Sequence, residues 1–248
     1  TDGTLWAWGS NGTGALGQGN TTNRNSPVQI GILNNWSNLS ADTGAGSNAI
    51  IATKTNGTMW SWGANDGTQL GVGNGSQDII DRSSPTQIGS ATTWGVGRIG
   101  SKAAMGIKTD GTLWTWGYNY SGSQGASRPT FGAGSANSGP VQVGLLTDWW
   151  SSHDKAMFGH RTGFVIKPDG KLWNWGSNDD GQLGKNDTAN TSSPVQLGSL
   201  TTWTLVSAGS GATLTGVLAI ATHATPAPAA PTYLWAWGKN DYGQLGLG

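Results

Sequence analysis

The chain has 248 residues, 42 of them Gly and 15 Trp, with no Cys and 10% charged residues, a composition that excludes a disulfide-knit scaffold and a highly charged, helix-rich protein. Lys plus Arg and Asp plus Glu balance at 13 each, and every acid is Asp. There is therefore no net field to draw nucleic acid or an anionic membrane, and no Glu to solvate amphipathic helices.

The first recognisable element is a turn, Asp2-Gly3, followed by the strand Leu5-Trp6-Ala7-Trp8-Gly9. The same pair recurs as Asn56-Gly57, Asp110-Gly111 and Asp169-Gly170, each ahead of a Leu/Met-Trp-x-Trp-Gly strand. An Asp-Gly or Asn-Gly pair between apolar runs predicts a two-residue hairpin turn with positive φ. The first Trp of each strand falls at Trp6, Trp60, Trp114, Trp173 and Trp235, with successive spacings of 54, 54, 59 and 62. Nine residues after the second Trp comes a Gly each time, at Gly17, Gly71, Gly125, Gly184 and Gly246, ending a frame of Asn, Gly and Leu-Gly. Next come Pro27, Pro85, Pro140 and Pro194, each opening a Pro-Val/Thr-Gln-hydrophobic-Gly strand and each nine residues before a further Trp, at Trp36, Trp94, Trp149 and Trp203. Fixed spacings within a variable period describe rigid segments joined by loops of variable length.

Side chains alternate along a strand, so Trp6 and Trp8 share one face while Leu5 and Ala7 take the other. A strand apolar on both faces must be covered on both, as in sheets stacked face to face. Small antiparallel sheets repeating about every 55 residues predict an all-β fold of β-propeller type, with four full repeats and a partial fifth. The units run at about 5–58, 59–112, 113–171, 172–233 and 234–248. Trp6, Trp8, Trp60, Trp62, Trp114, Trp116, Trp173, Trp175, Trp235 and Trp237 are expected in the core. Trp150 alone stands off the repeat landmarks and is the candidate for an exposed aromatic.

The order of hydrophobic strand, Asp-Gly turn, Leu-Trp-x-Trp-Gly, Asn-x-x-Gly-Gln-Leu-Gly and Pro resembles the repeat of the regulator of chromosome condensation family. Asn178-Asp179-Asp180-Gly181-Gln182-Leu183-Gly184 and Val206-Ser207-Ala208-Gly209 carry the likeness most fully. The resemblance implies a seven-bladed ring, of which this region would form part, in the manner of bacterial or phage members. It also implies a range of family roles: exchange factor for a small GTPase, regulatory scaffold, or secreted enzyme inhibitor. The family's usual Gly-x-x-His is missing after Gly209, where Ser210-Gly211-Ala212-Thr213 follows, and no catalytic residue carries over. The first hairpin lacks its leading arm and the last Leu-Gly lacks its following Pro segment. Bare sheet edges of that kind lead to the expectation of a longer natural chain, or of neighbouring subunits that close the ring.

Signals for chemistry are sparse. His153, Asp154 and His160 match no zinc or diiron spacing and read as solvated loop residues. The Asn178-Asp179-Asp180-Gly181 segment lacks the alternating acids of a calcium loop, and Gly71-Val72-Gly73-Asn74-Gly75 lacks the Lys-Ser/Thr of a phosphate loop. No catalytic residue, cofactor or metal is expected. Binding in such a fold is carried by rim loops, so the candidate contact residues are Asp78, Asp81 and Arg82 in one loop, Arg128 and Phe131 in another, and Trp150. The Pro/Ala-rich hairpin insert at 223–232 adds His223, Pro226 and Pro228 as a semi-rigid arm.

The expected function is a non-enzymatic structural or binding propeller on a virion, as in a phage tail or fibre, or on a microbial surface. It would contact a protein or surface-glycan partner or a host surface, without nucleic acid or membrane insertion. The alternative is a regulatory binding protein, exchange-factor-like or inhibitor-like. An extracellular or virion setting accompanies the first reading, and a cytoplasmic one is compatible with the second.

Overall fold

The computed structural model describes residues 2–42, 48–73, 78–126, 135–149, 152–209, 216–222 and 232–246. Seventeen strands form five antiparallel sheets in chain order. The first pairs β1 (Trp6–Gly9) with β2 (Arg24–Gln29). The second orders β3 (Trp36–Ala41), β4 (Ala49–Lys54), β5 (Met59–Gly63) and β6 (Arg82–Gln87). The third orders β7 (Trp94–Ile99), β8 (Ala103–Lys108), β9 (Leu113–Tyr118) and β10 (Ala136–Gln142). The fourth orders β11 (Ala156–Phe158), β12 (Thr162–Ile166), β13 (Leu172–Gly176) and β14 (Thr191–Gln196), with a single 3-10 turn at His153–Lys155 ahead of it. The fifth holds β15 (Trp203–Ala208), β16 (Val217–Thr222) and β17 (Thr232–Trp237). Every sheet is thus a meander, as β-propeller blades are. Sheets two to four each begin after the Pro landmark, out of phase with the sequence units.

The core lies between sheets. Ile51, Met59 and Leu70 of the second sheet region pack with Ile99, Ala104 and Trp116 of the third. Val96, Met105 and Leu113 of the third pack in turn with Phe158, Val165 and Trp175 of the fourth. Phe164, Leu172 and Leu183 then meet Trp203, Val206 and Val217 of the fifth. Both faces of a central strand are consumed in this way, which accounts for strands such as β5, where Met59, Ser61 and Trp62 are all buried.

In four of the five Trp-x-Trp pairs the second Trp crosses to the preceding sheet. The Trp62 Nε1–H donates to the Ala15 carbonyl at 2.8 Å, Trp116 to Gln69 at 2.9 Å, Trp175 to Ser123 at 2.9 Å and Trp237 to Gln182 at 2.8 Å. The acceptors all lie in the Asn-x-x-Gly-Gln-Leu-Gly frame. There the Asn side chain closes the loop by accepting from a backbone N–H five residues on, as Asn65 does from Leu70 at 3.1 Å and Asn178 from Leu183 at 2.8 Å. The Gly that ends the frame is required by the ring beside it. At Gly71, where φ is +68°, a Cβ would lie 2.4 Å from Trp116 Nε1, well inside contact distance.

Three of the ten tryptophans expected in the core are exposed: Trp6 by 50%, Trp8 by 61% and Trp235 by 44%. The cause is local. Among the described residues the sheet of Trp6 and Trp8 has two strands, with none on the side where β4 covers β5, and β17, which carries Trp235, has no fourth strand beside it of the kind that β6, β10 and β14 supply.

The hairpin turns share one hydrogen-bonded chain. Asn56 Oδ1 accepts from the Thr58 backbone N–H at 3.1 Å and from its hydroxyl at 2.7 Å, and Thr58 Oγ1 accepts from Trp60 Nε1 at 2.9 Å. Asp110, Thr112 and Trp114 repeat it at 2.9, 2.6 and 2.8 Å, and Asp2, Thr4 and Trp6 at 3.1, 2.7 and 3.0 Å. In the fourth sheet Lys171 replaces the Thr, and Trp173 Nε1 is left buried without a partner.

Two outcomes follow. Lys171→Thr supplies the missing acceptor and should raise stability by about 1 kcal/mol in urea titration, because the Lys171–Asp169 ion pair it removes is substantially exposed and worth little; an unchanged midpoint would count against the turn chain. The second concerns acid. Hydrogen bonds from Thr112 hold the Asp110 carboxyl below its ordinary 3.8. A depressed folded value means that its contribution is complete above 3.8 and disappears as pH falls through the depressed value. Asp110→Asn keeps the acceptor, as Asn56 does, so the loss in melting temperature between pH 7 and pH 3 should be smaller in the variant than in the parent.

Candidate functional site

A concave feature that gathers charged and aromatic side chains lies on the rim opposite the Asp-Gly hairpins, between the third and fourth sheets. A cavity of about 270 Å³ is lined there by Asp66, Lys102, Tyr118, Tyr120, His160 and Arg161 among others. The β7–β8 turn supplies Lys102, the segment leaving β9 supplies the tyrosines, and the β11–β12 turn supplies His160 and Arg161. These turns are fixed by backbone bonds to the third strand of their own sheets: the Tyr118 N–H donates to the Lys102 carbonyl at 2.8 Å and the Ser177 N–H to the Arg161 carbonyl at 3.1 Å.

The Arg161 guanidinium sits 3.7 Å from the Tyr120 ring centroid, and Tyr120 in turn tilts against Tyr118 at 5.7 Å. Lys102 Nζ pairs with Asp66 at 2.7 Å, with both side chains about half exposed. None of the ion pairs among the described residues uses Arg161. Its charge is therefore presented on an aromatic platform rather than neutralised. Burial, and then the neighbouring Arg161, push His160 below its ordinary 6.5, which favours the neutral ring at pH 7. The site thus offers one uncompensated planar cation, a second cation shared with a carboxylate, two phenols and a neutral imidazole. That set recognises an acidic side chain through bidentate hydrogen bonds.

His153 is drawn inward and is not a solvated loop residue. Its ring meets the Arg98 guanidinium at 2.5 and 3.0 Å and the Leu39 carbonyl at 3.0 Å, so it ties β3 and β7, the first strands of the second and third sheets, to the 3-10 turn ahead of the fourth. Burial, and then Arg98, hold its pKa below 6.5, and burial pushes Arg98 down to about 10.

The loop of Asp78, Asp81 and Arg82 is structural in its hydrogen bonding. Asp81 Oδ1 accepts from the Asn65 backbone N–H at 2.9 Å, the part that Asn23 plays for Asn11 at 2.8 Å and Asn190 for Asn178 at 2.6 Å. Asp78 pairs with Arg82 at 2.5 Å, and its carbonyl accepts from Asn65 Nδ2 at 2.6 Å. Ile79, Ile80 and Asp81 are the exposed residues among those described in that loop. Arg128, Phe131, Trp150, His223, Pro226 and Pro228, and with them all of the Pro/Ala insert but its last residue, lie outside the described residues.

Sequence reading missed Lys102, Tyr118, Tyr120 and Arg161. A signal existed at the tyrosines: the positions flanking the frame Asn are Ala64 and Asp66, or Ser177 and Asp179, in neighbouring copies, and become Tyr118 and Tyr120 here. Among the described residues no group of three His, Cys, Asp or Glu side chains could hold a metal ion, and no helix is long and apolar enough to cross a membrane.

Three comparisons bear on this arrangement. The profile of the Regulator of chromosome condensation (RCC1) repeat matches residues 2–49, 56–98 and 169–215. The Ultraviolet-B receptor UVR8 of Arabidopsis thaliana is 24% identical over 98% of this chain and 62% of its own length. Yeast RCC1 (Prp20), solved with Kap60 bound, superposes with a TM-score of 0.76 at 18% identity, over 99% of this chain and 54% of its own. A second structure of Prp20p from Saccharomyces cerevisiae gives 0.70 at 18% identity, over 83% and 50%. The chain therefore spans about half to three fifths of the length of these relatives.

Asp81→Ala should lower stability by about 1 kcal/mol or more, because it strips the Asn65 backbone donor of its partner. Asp179→Ala, on an exposed position of the equivalent frame, should change it by less than about 0.5 kcal/mol. Urea midpoints compare the two, and equal effects would remove the structural role given to Asp81.

Proposed function

Because the chain belongs to the Regulator of chromosome condensation (RCC1) repeat family, we propose that it is a non-enzymatic propeller that binds and regulates a partner protein, and that the Arg161–Tyr120 rim is the contact face. The observation that carries this reading is the unpaired Arg161 guanidinium stacked on Tyr120 in a cavity built by two successive sheets. A rigid scaffold that presents an unneutralised cation on an aromatic surface has the composition of an interface centre, where Arg and Tyr are enriched. The named relatives support it: one is a receptor, and the yeast protein has been solved with Kap60 and described by its binding to Gsp1p and histones. They favour this regulatory reading over the virion or microbial-surface scaffold. For that second reading the low charge and the abundance of Gly, Asn, Ser and Thr remain the supporting features.

The reading is tested by placing a photo-crosslinking residue at Tyr120, or at Ser199 on the opposite rim, in the native source. The Tyr120 position should capture one protein that Ser199 does not. Arg161→Glu should then weaken binding of that purified protein at least about 10-fold, in line with losing a desolvated charge contact, while Lys171→Glu at the hairpin end leaves it unchanged. Capture at Ser199 alone, or indifference to Arg161→Glu, would overturn the assignment of the face.

A further inference from the structure

A lysine occupies the same place in three successive sheets. Lys54 Nζ lies 4.6 Å from the Trp36 ring centroid and 3.7 Å from that of Trp60. Lys108 lies 5.1 Å from Trp94 and 3.9 Å from Trp114, and Lys167 lies 4.1 Å from Trp149 and 4.4 Å from Trp173. The two rings meet edge to face in every case, with centroids 6.3, 6.2 and 5.6 Å apart. An ammonium against two indole faces is held by the ring quadrupoles, and the hold strengthens as water is excluded. Lys54 and Lys167 are accordingly buried.

In the fifth sheet the rings recur, and among the described residues no cation stands against them. Trp203 and Trp235 stand 5.8 Å apart at 60°. Register identifies the missing group: Trp36 pairs with Lys54 and Trp94 with Lys108, whereas Trp203 pairs with Ala221. The next backbone bond is kept, since the Thr222 N–H donates to the Thr202 carbonyl at 3.1 Å as Thr109 does to Thr93 at 2.8 Å. The strands have not slipped; a methyl group stands where three sheets place an ammonium. The equivalent Trp60, Trp114 and Trp173 stay partly exposed even beside a fourth strand, and Trp235 is exposed likewise, so this wall can be reached by an incoming group. The nearby Lys167 does not add an uncompensated charge, because Asp148 pairs with it at 2.8 Å.

We infer that the Trp203–Trp235 pair is a binding site for a cationic group from outside the chain, namely the lysine ammonium of a partner protein, which completes the cage that Lys54, Lys108 and Lys167 fill from within. It lies at the hairpin end, on the rim away from Arg161, and stands or falls independently of that face.

Choline serves as the probe, with uncharged 3,3-dimethylbutan-1-ol as its isostere. Titrated into the purified chain and followed by the indole N–H resonances, choline should shift the Trp235 signal saturably and bind roughly 2- to 30-fold tighter than the alcohol, the range that a cation–π contribution spans. N-acetyl-lysine methylamide should displace it. Ala221→Lys, which fills the cage from within, should abolish the shift. If that variant does not melt cooperatively, Trp235→Leu, followed at the Trp203 indole resonance, should abolish the choline-dependent shift that the parent shows there. Equal binding of the alcohol, no saturable shift, or undiminished binding in the folded variant would each overturn the inference.

Discussion

The structure depends on one recurrent bond, from the indole Nε1–H of the second Trp in the Trp-x-Trp strands of the last four sheets to a backbone carbonyl in the turn frame of the sheet before it. Donor and acceptor are 47, 47, 52 and 55 residues apart along the chain. Such a bond cannot form until two sheets are folded and apposed. It fixes their separation and orientation, because the ring must lie flat beside a Gly that tolerates neither a Cβ nor a negative φ. The ring also buries on the order of 200 Å², worth up to roughly 5 kcal/mol at ~25 cal/mol per Å². In a chain with few aliphatic residues, these rings supply the apolar area that holds sheet to sheet.

Around this bond the chain is economical with charge. Buried lysines are placed against indole faces, where the quadrupole partly offsets the loss of water. Burial still draws Lys54 below its ordinary range. Most ion pairs are exposed and span a few residues, so they contribute little to holding the sheets together. The repeat tolerates departures at its rims because none of them disturbs the indole bond or the Asn-closed turn. Tyr118, Tyr120, Arg161 and Ala221 are departures of that kind, and the two candidate binding features are built from them.

How much was legible in the sequence follows from the same physics. The all-β propeller could be read because each landmark expresses a local necessity: Asp-Gly for the hairpin, alternating Trp for a strand covered on both faces, Asn and Gly for the frame. The exposure of Trp6, Trp8 and Trp235 could not be read, since a strand pattern states that a face wants cover and not that a neighbouring strand supplies it. Asp81 seemed a free loop charge because its acceptor role is set by Asn65, sixteen residues earlier in the chain, and the equivalent positions hold Asn. Arg161 was invisible because its platform, Tyr120, belongs to another sheet. Sites made by juxtaposing turns of successive blades leave only a faint trace in any one repeat.

The most direct test of the central claim is hydrogen exchange of the indole protons, resolved by residue and followed in low concentrations of urea. If the cross-sheet bonds hold the sheets as one unit, the Nε1 protons of Trp116 and Trp175 exchange only when the whole chain opens. They then share one free energy that falls with urea as global stability does, while the proton of Trp8, on the most exposed of these rings, exchanges close to the free rate. Exchange of Trp116 and Trp175 by separate, urea-independent openings would contradict the account.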